Sequence, residues 1–402
     1  MRELLTPERC LPADRSAGTL IGRAWVPAGP HPGPSPVVVR DDGVYDLARV
    51  APTVSELLNA DDPVGLVRAA KDAPRLGDVG ELLANSAAEG RDPSRPYLLA
   101  PCDLQAVKAS GVTFVTSMLE RVIEEQTRGD PARAAEVRAQ ITGIVGTDLR
   151  AVKPGSEAAR RLKAVLVERG AWSQYLEVGI GPDAEIFTKC QPLASVGTGA
   201  DIGLHPRSSW NNPEPEVVLA VSAAGRIVGA TLGNDVNLRD VEGRSALLLP
   251  LAKDNNASSA IGPLIRLFDA TFGLDDVRGT EVRLRVEGTD GFVLSGSSSM
   301  AEIARDPTEL VAQLIGDVHQ YPDGAVLFCG TMFAPVEDRD SPGGGFTHKR
   351  GDVVAISAPE LGALVNRVDA CNTVAPWTFG VGALMRNLAA RGLLDRRPGA
   401  TS

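Results

Sequence analysis

The sequence predicts an α+β protein, mainly β, with a small N-terminal domain over residues 1–95 and a larger β-rich domain over 96–402. Three observations predict it. Short apolar runs punctuated by Gly and Pro fill most of the chain, helical periodicity is confined to a few segments, and the polar stretch Glu89 to Pro93 makes a hinge. Strands without regular intervening helices favour a mixed β-rich barrel or sandwich over a doubly wound sheet.

Taken in order, residues 1 to 16 read as a loose leader. Apolar runs at Leu20 to Trp25, Pro36 to Val39 and Val44 to Leu47 read as strands of the N-terminal unit, with loop between the first two. Helical pieces follow at Val54 to Leu58 and Pro63 to Ala70. Leu98 to Pro101 opens the larger domain, and an amphipathic helix from about Ser117 carries Leu119, Val122 and Ile123 on one side. Further helix is expected over Pro131 to Val145 and over Glu157 to Arg169, the latter capped by Ser156 and stopped by Gly170. Phe187-Thr188-Lys189 returns to strand. Glu281 to Val286 alternates as a half-buried strand and turns at Thr289-Asp290-Gly291 into Phe292 to Leu294. Asp306-Pro307-Thr308-Glu309 is a helix start with Glu309 reaching back, and Leu310, Val311, Leu314, Ile315 and Val318 form its apolar stripe. Strands are expected at Ala325 to Phe328 and Val353 to Ile356, and a helical ending within Trp377 to Leu393.

A chain of 402 residues, 43% hydrophobic and 23% charged, buries a large core as an ordinary globular protein. A net charge of -10 argues against nucleic acid and against anionic membrane as partners. The charged N-terminus lacks the apolar core of a signal peptide and no apolar run spans a bilayer, so a cytoplasmic location is expected. Five scattered cysteines fit buried reduced thiols, and four histidines without ligand spacing exclude a histidine-rich metal centre.

The stretch Trp210 to Pro263 concentrates the chemistry. Glu216 to Ser222 and Arg226 to Gly233 are apolar runs joined by Ala224-Gly225, which predicts an antiparallel hairpin. Glu214 and Glu216, two apart on a strand, share a face, and Asp235 past the second strand returns to the same neighbourhood. Three converging carboxylates suit a hard divalent cation, magnesium before calcium or manganese, and do not suit zinc. A solvated strand end is the alternative for Glu-Pro-Glu; Pro215 places this point at a strand end or edge. Lys253, after an apolar run, is either a surface lysine or an amine near such a metal.

Val196 to Gly203 has its third glycine misplaced for a dinucleotide loop and reads as a turn. No phosphate loop and no Gly-x-Ser-x-Gly elbow occurs. Gly330-Thr331, after a buried strand, can receive a carboxylate or be a plain strand end. Gly343 to His348 reads equally as a lid or an ordinary loop.

The order Glu-x-Glu, Gly-Asn-Asp-Val-x-x-Arg-Asp, lysine before Gly-Pro, Gly-Thr and Gly-Asp-x-Val resembles the fumarylacetoacetate hydrolase family over Leu98 to Leu393. Tyr175 to Val178, His319 to Gly324 and Gly345 to Lys349 resemble its branch that dehydrates 2-keto-3-deoxy sugar acids such as 2-keto-3-deoxy-D-xylonate. The resemblance implies a β-rich fumarylacetoacetate-hydrolase-like C-terminal domain and a homodimer or homotetramer acting on a small 2-oxo sugar acid in pentose catabolism. It also implies Mg²⁺, with Mn²⁺ as a substitute, held by Glu214, Glu216 and Asp235. Lys253 is implied near the substrate oxo group, Thr331 with Gly330 at its carboxylate, and Arg239 at the substrate. The hydrolases carry Gly-x-Asn-Tyr-x-x-His-x-x-Glu, whose His and Glu activate water. The matching residues here are Gly111, Thr113, Phe114, Ser117 and Glu120, so the dyad has lost its histidine. Ser117, Glu120 and Lys253 are the expected catalytic residues. Acylpyruvate hydrolysis, oxo-acid decarboxylation and non-catalytic binding of a sugar acid are the alternatives.

Overall fold

The computed structural model describes residues 1–128, 130, 133–134, 136–137, 152–168, 170, 172–332, 335, 337–340 and 345–395. Most of the expected helix from Pro131 to Val145, Arg169 at the end of the next one, and Gly343 and Gly344 of the glycine-rich loop lie outside them. In the first sheet the order is β4 (Arg75–Gly77), β3 (Gly43–Asp46), β2 (Gly33–Arg40), β1 (Leu20–Val26), β13 (Ser259–Leu267), β11 (Ile227–Asp235), β10 (Pro215–Val221), β16 (Ala325–Phe328), β6 (Ala106–Gly111) and β7 (Glu185–Cys190). β5 (Tyr97–Leu99) also pairs with β1. A second sheet runs β15 (Val293–Ser299), β14 (Glu281–Glu287), β17 (Val353–Ala358), β18 (Gly362–Ala370) and β8 (Asp201–Leu204). β9 (Asn211–Asn212) pairs with β12 (Asn237–Leu238). The mixed α/β architecture with more strand than helix is the one the punctuation of the sequence predicts.

Alternation explains how the sheets stack. β14 exposes Glu281, Arg283 and Arg285 and buries Val282, Leu284 and Val286. Those three pack in one core with Val217, Leu219 and Val221 of β10 and Ala230 and Leu232 of β11. β10 is buried at every residue because its other face is covered too, by a cluster that joins Val218 to Val326, Phe328, Ile261 and Val107. That second face also carries the even-numbered Glu216.

Several expectations change. The first sixteen residues are docked: Arg2–Leu4 and Pro7–Cys10 are helical, and Leu5, Cys10 and Leu11 are buried against β1, β2 and β18. Their apolar side chains are few and spaced irregularly, which hides docking from a periodicity argument. β1 to β4 continue the main sheet, since Leu20 and Ile21 pair with Arg266 and Ile265 of β13. Pro215 is at a strand end, as one of its two readings had it, but the strand it opens is interior, flanked by β11 and β16, and not an edge. Its missing N–H costs nothing at the first residue. The helix Pro307–Leu314 is capped by Asp306, whose carboxylate accepts from Thr308 N at 2.9 Å, while Glu309 turns to Arg305 at 3.1 Å instead of reaching back. That helix ends before Val318, which is 90% exposed and outside its stripe. The five cysteines are free, four of them buried.

One glycine fixes how closely these layers meet. A Cβ on Gly233 falls 2.3 Å from the Phe328 ring and 2.5 Å from Val218 Cγ2, so only glycine lets that ring cross β11. We expect Gly233→Ala to destabilise the fold by about 1–3 kcal/mol, as overpacking does. A shift of the urea midpoint at unchanged slope is the measure, and an unaltered midpoint contradicts this packing.

Candidate metal centre

The hairpin builds the centre. Gly225 N donates to Ser222 O at 2.9 Å across the turn, and the register then pairs Glu216 with Gly233. Asp235 N donates to Glu214 O at 3.1 Å, which extends the pairing by one step beyond the strand. Residues 214, 216, 233 and 235 therefore share a face. Gly233, having no side chain, lets the Phe328 ring lie on that face beside the carboxylates. One oxygen each of Glu214, Glu216 and Asp235 lies within 4.8 Å of the others, and all three side chains are buried.

Two ammonium groups enter this cluster. Lys253 closes the short helix Leu249–Lys253, and its Nζ lies 2.6 Å from Glu214 Oε2 and 3.0 Å from Asp235 Oδ2. Lys189 on β7 places its Nζ 2.8 Å from Asp235 Oδ1 and donates to the Lys253 carbonyl at 2.7 Å. Burial pushes the Asp235 pKa up, but the two lysines outweigh it and hold the carboxyl below its usual range. Glu216 touches neither ammonium; it accepts from Gly330 N at 2.7 Å. Burial, then the charge of Asp235, pushes the Glu216 pKa well above the usual range.

A second layer comes from the helix Val115–Thr127, where Ser117, Glu120, Arg121 and Glu124 follow helical spacing and are all buried. Arg121 pairs with Glu124 at 2.6 Å, with Glu242 at 3.3 Å and with Glu214. Arg239 pairs with Glu124 at 2.7 Å and Glu120 at 3.0 Å, donates to the Pro335 carbonyl at 3.2 Å, and stacks 4.3 Å from the Trp210 ring centroid. Charges alternate without interruption from Glu120 through Arg239, Glu124, Arg121, Glu214, Lys253 and Asp235 to Lys189.

The donor set fits a hard dication. Six buried carboxylates (Glu120, Glu124, Glu214, Glu216, Asp235, Glu242) face four buried cations (Arg121, Lys189, Arg239, Lys253). The carboxylates outnumber the cations by two, and the raised pKa of Glu216 is one expression of that surplus. A divalent ion on Glu214, Glu216 and Asp235 offsets that surplus with oxygen ligands alone, the preference of magnesium and calcium.

The other expected residues gather around it. Ser117 Oγ donates to Phe114 O at 2.9 Å within its own helix. Gly330 adopts φ +101, and a Cβ there meets Thr113 Oγ1 at 1.9 Å, so the Gly330 N–H reaches Glu216 only because the residue is glycine. Thr331 is buried beside it. In the loop that follows, Phe346 and His348 are buried, and His348 Nδ1 lies 3.1 Å from Asp352, which also holds Arg339. The described part of that loop is pinned.

Four members of the site escape sequence reasoning: Arg121, Glu124, Glu185 and Lys189. Helical spacing from Ser117 and Glu120 could have found Arg121 and Glu124, and strand alternation in Glu-Ile-Phe-Thr-Lys could have flagged Glu185 and Lys189. Glu185 is half-buried, and burial followed by the charge of Glu242 pushes its pKa up to about 7.

The family model described as fumarylacetoacetate (FAA) hydrolase C-terminal matches residues 210–369. A relative from Saccharolobus solfataricus named 2-dehydro-3-deoxy-D-arabinonate dehydratase is 30% identical over 184 residues, 46% of this chain and 58% of that protein. One from Haloferax volcanii named probable 2-keto-3-deoxyxylonate dehydratase is 31% identical over 194 residues, 48% of this chain and 63% of that protein. These alignments span less than two thirds of either relative. The solved structure of a 2-keto-3-deoxy-D-arabinonate dehydratase complexed with magnesium and 2,5-dioxopentanoate superposes with a TM-score of 0.56 at 22% identity, over 87% of this chain and 99% of that one. That likeness is one of fold.

Because the Glu216 carboxyl ionises less readily folded than unfolded, its contribution favours the fold at low pH and is lost as pH rises through the raised value. Metal-free Glu216→Gln should melt above the metal-free wild type at pH 8 by about 2 °C, with the gap closing below about pH 4.3. Millimolar Mg²⁺ should raise the melting temperature of the wild type and not of the variant. Equal Mg²⁺ shifts in both proteins count against Glu216 as a ligand.

Proposed function

We propose that this chain is a magnesium-dependent hydro-lyase that removes water from 2-keto-3-deoxy-D-xylonate, or its C4-epimeric series, to give 2,5-dioxopentanoate. One observation carries the reading. Glu214, Glu216, Asp235 and Lys253 meet on one buried face, while Ser117, at the position of the hydrolytic histidine, spends its hydroxyl on Phe114 O. The names of the two curated relatives and the product bound in the fold neighbour support the same branch. The setting is cytoplasmic pentose catabolism by a homodimer or homotetramer, with manganese able to replace magnesium. Residues 1–95 and 96–402 are its two units, sharing one main sheet through β1 and β13.

Glu214, Glu216 and Asp235 hold the ion. Once bound, magnesium supplies a Lewis acid for the oxygens of a 2-oxo acid. Lys253, between Glu214 and Asp235, presents positive charge toward the substrate oxo group as negative charge develops there. Gly330 and Thr331 receive the substrate carboxylate. Arg239 fixes the carboxylate of Glu120 beside the site.

The reaction needs proton transfers at C3, C4 and C5. A base removes a C3 proton and the C4 hydroxyl leaves with a proton as water, giving the 3,4-unsaturated oxo acid. Removal of a C5 proton and return of a proton to C3 give an enol, and protonation at C4 with loss of the C5 hydroxyl proton then yields the aldehyde. Glu185, with a pKa near neutrality, both accepts and returns protons at working pH, and Glu120 and Lys253 share the remaining transfers.

Incubation of the full chain with 2-keto-3-deoxy-D-xylonate and Mg²⁺ should release 2,5-dioxopentanoate, and chelator should abolish it. Intact substrate alongside cleavage of acylpyruvates reassigns the protein to the hydrolytic branch. A second outcome concerns the base: Glu185→Gln should lower kcat by about 10²–10⁴-fold and remove the acidic limb near pH 7 from the kcat/KM profile. A variant whose limb stays in place excludes Glu185 from that role.

A further inference from the structure

A second site lies away from the carboxylates. An open-mouthed cavity of about 410 Å³ is bordered by β1, β5, the 193–201 segment, the Asn256-Ala257 turn and the C-terminal segment Val374 to Phe379. Its volume falls in the usual range for a small-molecule site. None of the metal-centre carboxylates lines it.

Strand geometry explains its contents. Arg23 and Trp25 are two apart on β1 and share a face, and the register of β5 sets Leu99 and Tyr97 directly opposite them. Trp25 meets Phe379 edge-on at 5.6 Å, and the Arg91 guanidinium covers the Tyr97 ring at 4.2 Å. Trp377, 45% exposed, stands in the wall with its indole N–H donating to Phe379 O at 3.1 Å.

Arg23 is the anomaly. It is 5% exposed, yet its Nε and Nη1 have no hydrogen-bond partner among the described residues. The carboxylate behind it, Asp103, is committed to Val54 N at 2.6 Å, Ser55 N at 2.9 Å and Leu104 N at 2.8 Å. A buried guanidinium with two nitrogens lacking hydrogen-bond partners is costly, and the fork of donors matches a carboxylate or phosphate.

We propose that this cavity is a binding site for a small anion carried on a flat body, with Arg23 gripping the anionic head and Trp25, Tyr97, Trp377 and Phe379 packing the body. The head is a carboxylate or a phosphate ester. The site is separate from the metal centre but adjoins it in the chain: its floor, Asn256-Ala257, belongs to the loop in which Ser258 Oγ donates to the Lys253 carbonyl at 2.6 Å.

Two of the four tryptophans, Trp25 and Trp377, line the cavity, so intrinsic fluorescence reads its occupancy. The full chain is titrated separately with benzoate and with AMP, without substrate or metal. A saturable fluorescence change with benzoate identifies a carboxylate site, and one with AMP a phosphate-ester site. Arg23→Met should weaken that binding about tenfold or more, the loss expected for a charge-assisted hydrogen bond, while folding persists because an unpaired buried charge becomes an apolar side chain. Trp377→Ala, in a half-exposed wall, should weaken it independently when followed by calorimetry. No saturable response to either anion at millimolar concentration overturns the proposal, as does binding of wild-type strength in both variants.

Discussion

The structure depends on a buried chain of alternating charges. From Glu120 to Lys189 each carboxylate meets a cation and each cation a carboxylate, across the helix Val115–Thr127, β10, β11, β7 and the Arg239 and Lys253 segments. Each link is tolerable only because the next one is present, since an ion left alone in this interior costs several kcal/mol. The arrangement ties the helix over the site to the sheet beneath it. It also leaves one carboxylate, Glu216, outside the alternation and next to a backbone N–H. That unbalanced member, with its pKa pushed up by burial, is where added positive charge gains the most.

The sheet makes this possible by separating two tasks by face. Odd residues of β10 fill the core between the sheets, and even residues face the cluster that holds Phe328. Gly233 admits the Phe328 ring, and Gly330 admits Thr113. A methyl group at either glycine separates layers that must touch for the carboxylates to meet the backbone donor.

The N-terminal strands serve a different end. By continuing the main sheet past β13, they bring β1 and β5 against the turn at Asn256-Ala257 and the C-terminal segment. The same loop thus borders the metal centre through Lys253 and the Arg23 cavity through Ala257. Among the described residues, a buried arginine with two unpartnered nitrogens and a buried glutamate that pairs with no cation are matching imbalances. Each is the kind of local cost that a bound ion or ligand offsets.

The sequence by itself determined what depends on short periods. Alternation gave the half-buried β14, the hairpin of β10 and β11, and the placing of Glu214, Glu216 and Asp235 on one face, because strand side chains repeat every two residues. Cap chemistry gave the start of the Pro307–Leu314 helix. Tertiary structure alone decided which distant charges meet. Lys189, Arg121 and Glu124 reach the hairpin through strand order and helix docking, which no local pattern encodes. It also decided that the first sixteen residues dock, that Val318 stays exposed and that Arg23 is buried with two nitrogens unpartnered among the described residues, because burial depends on what packs from elsewhere in the chain.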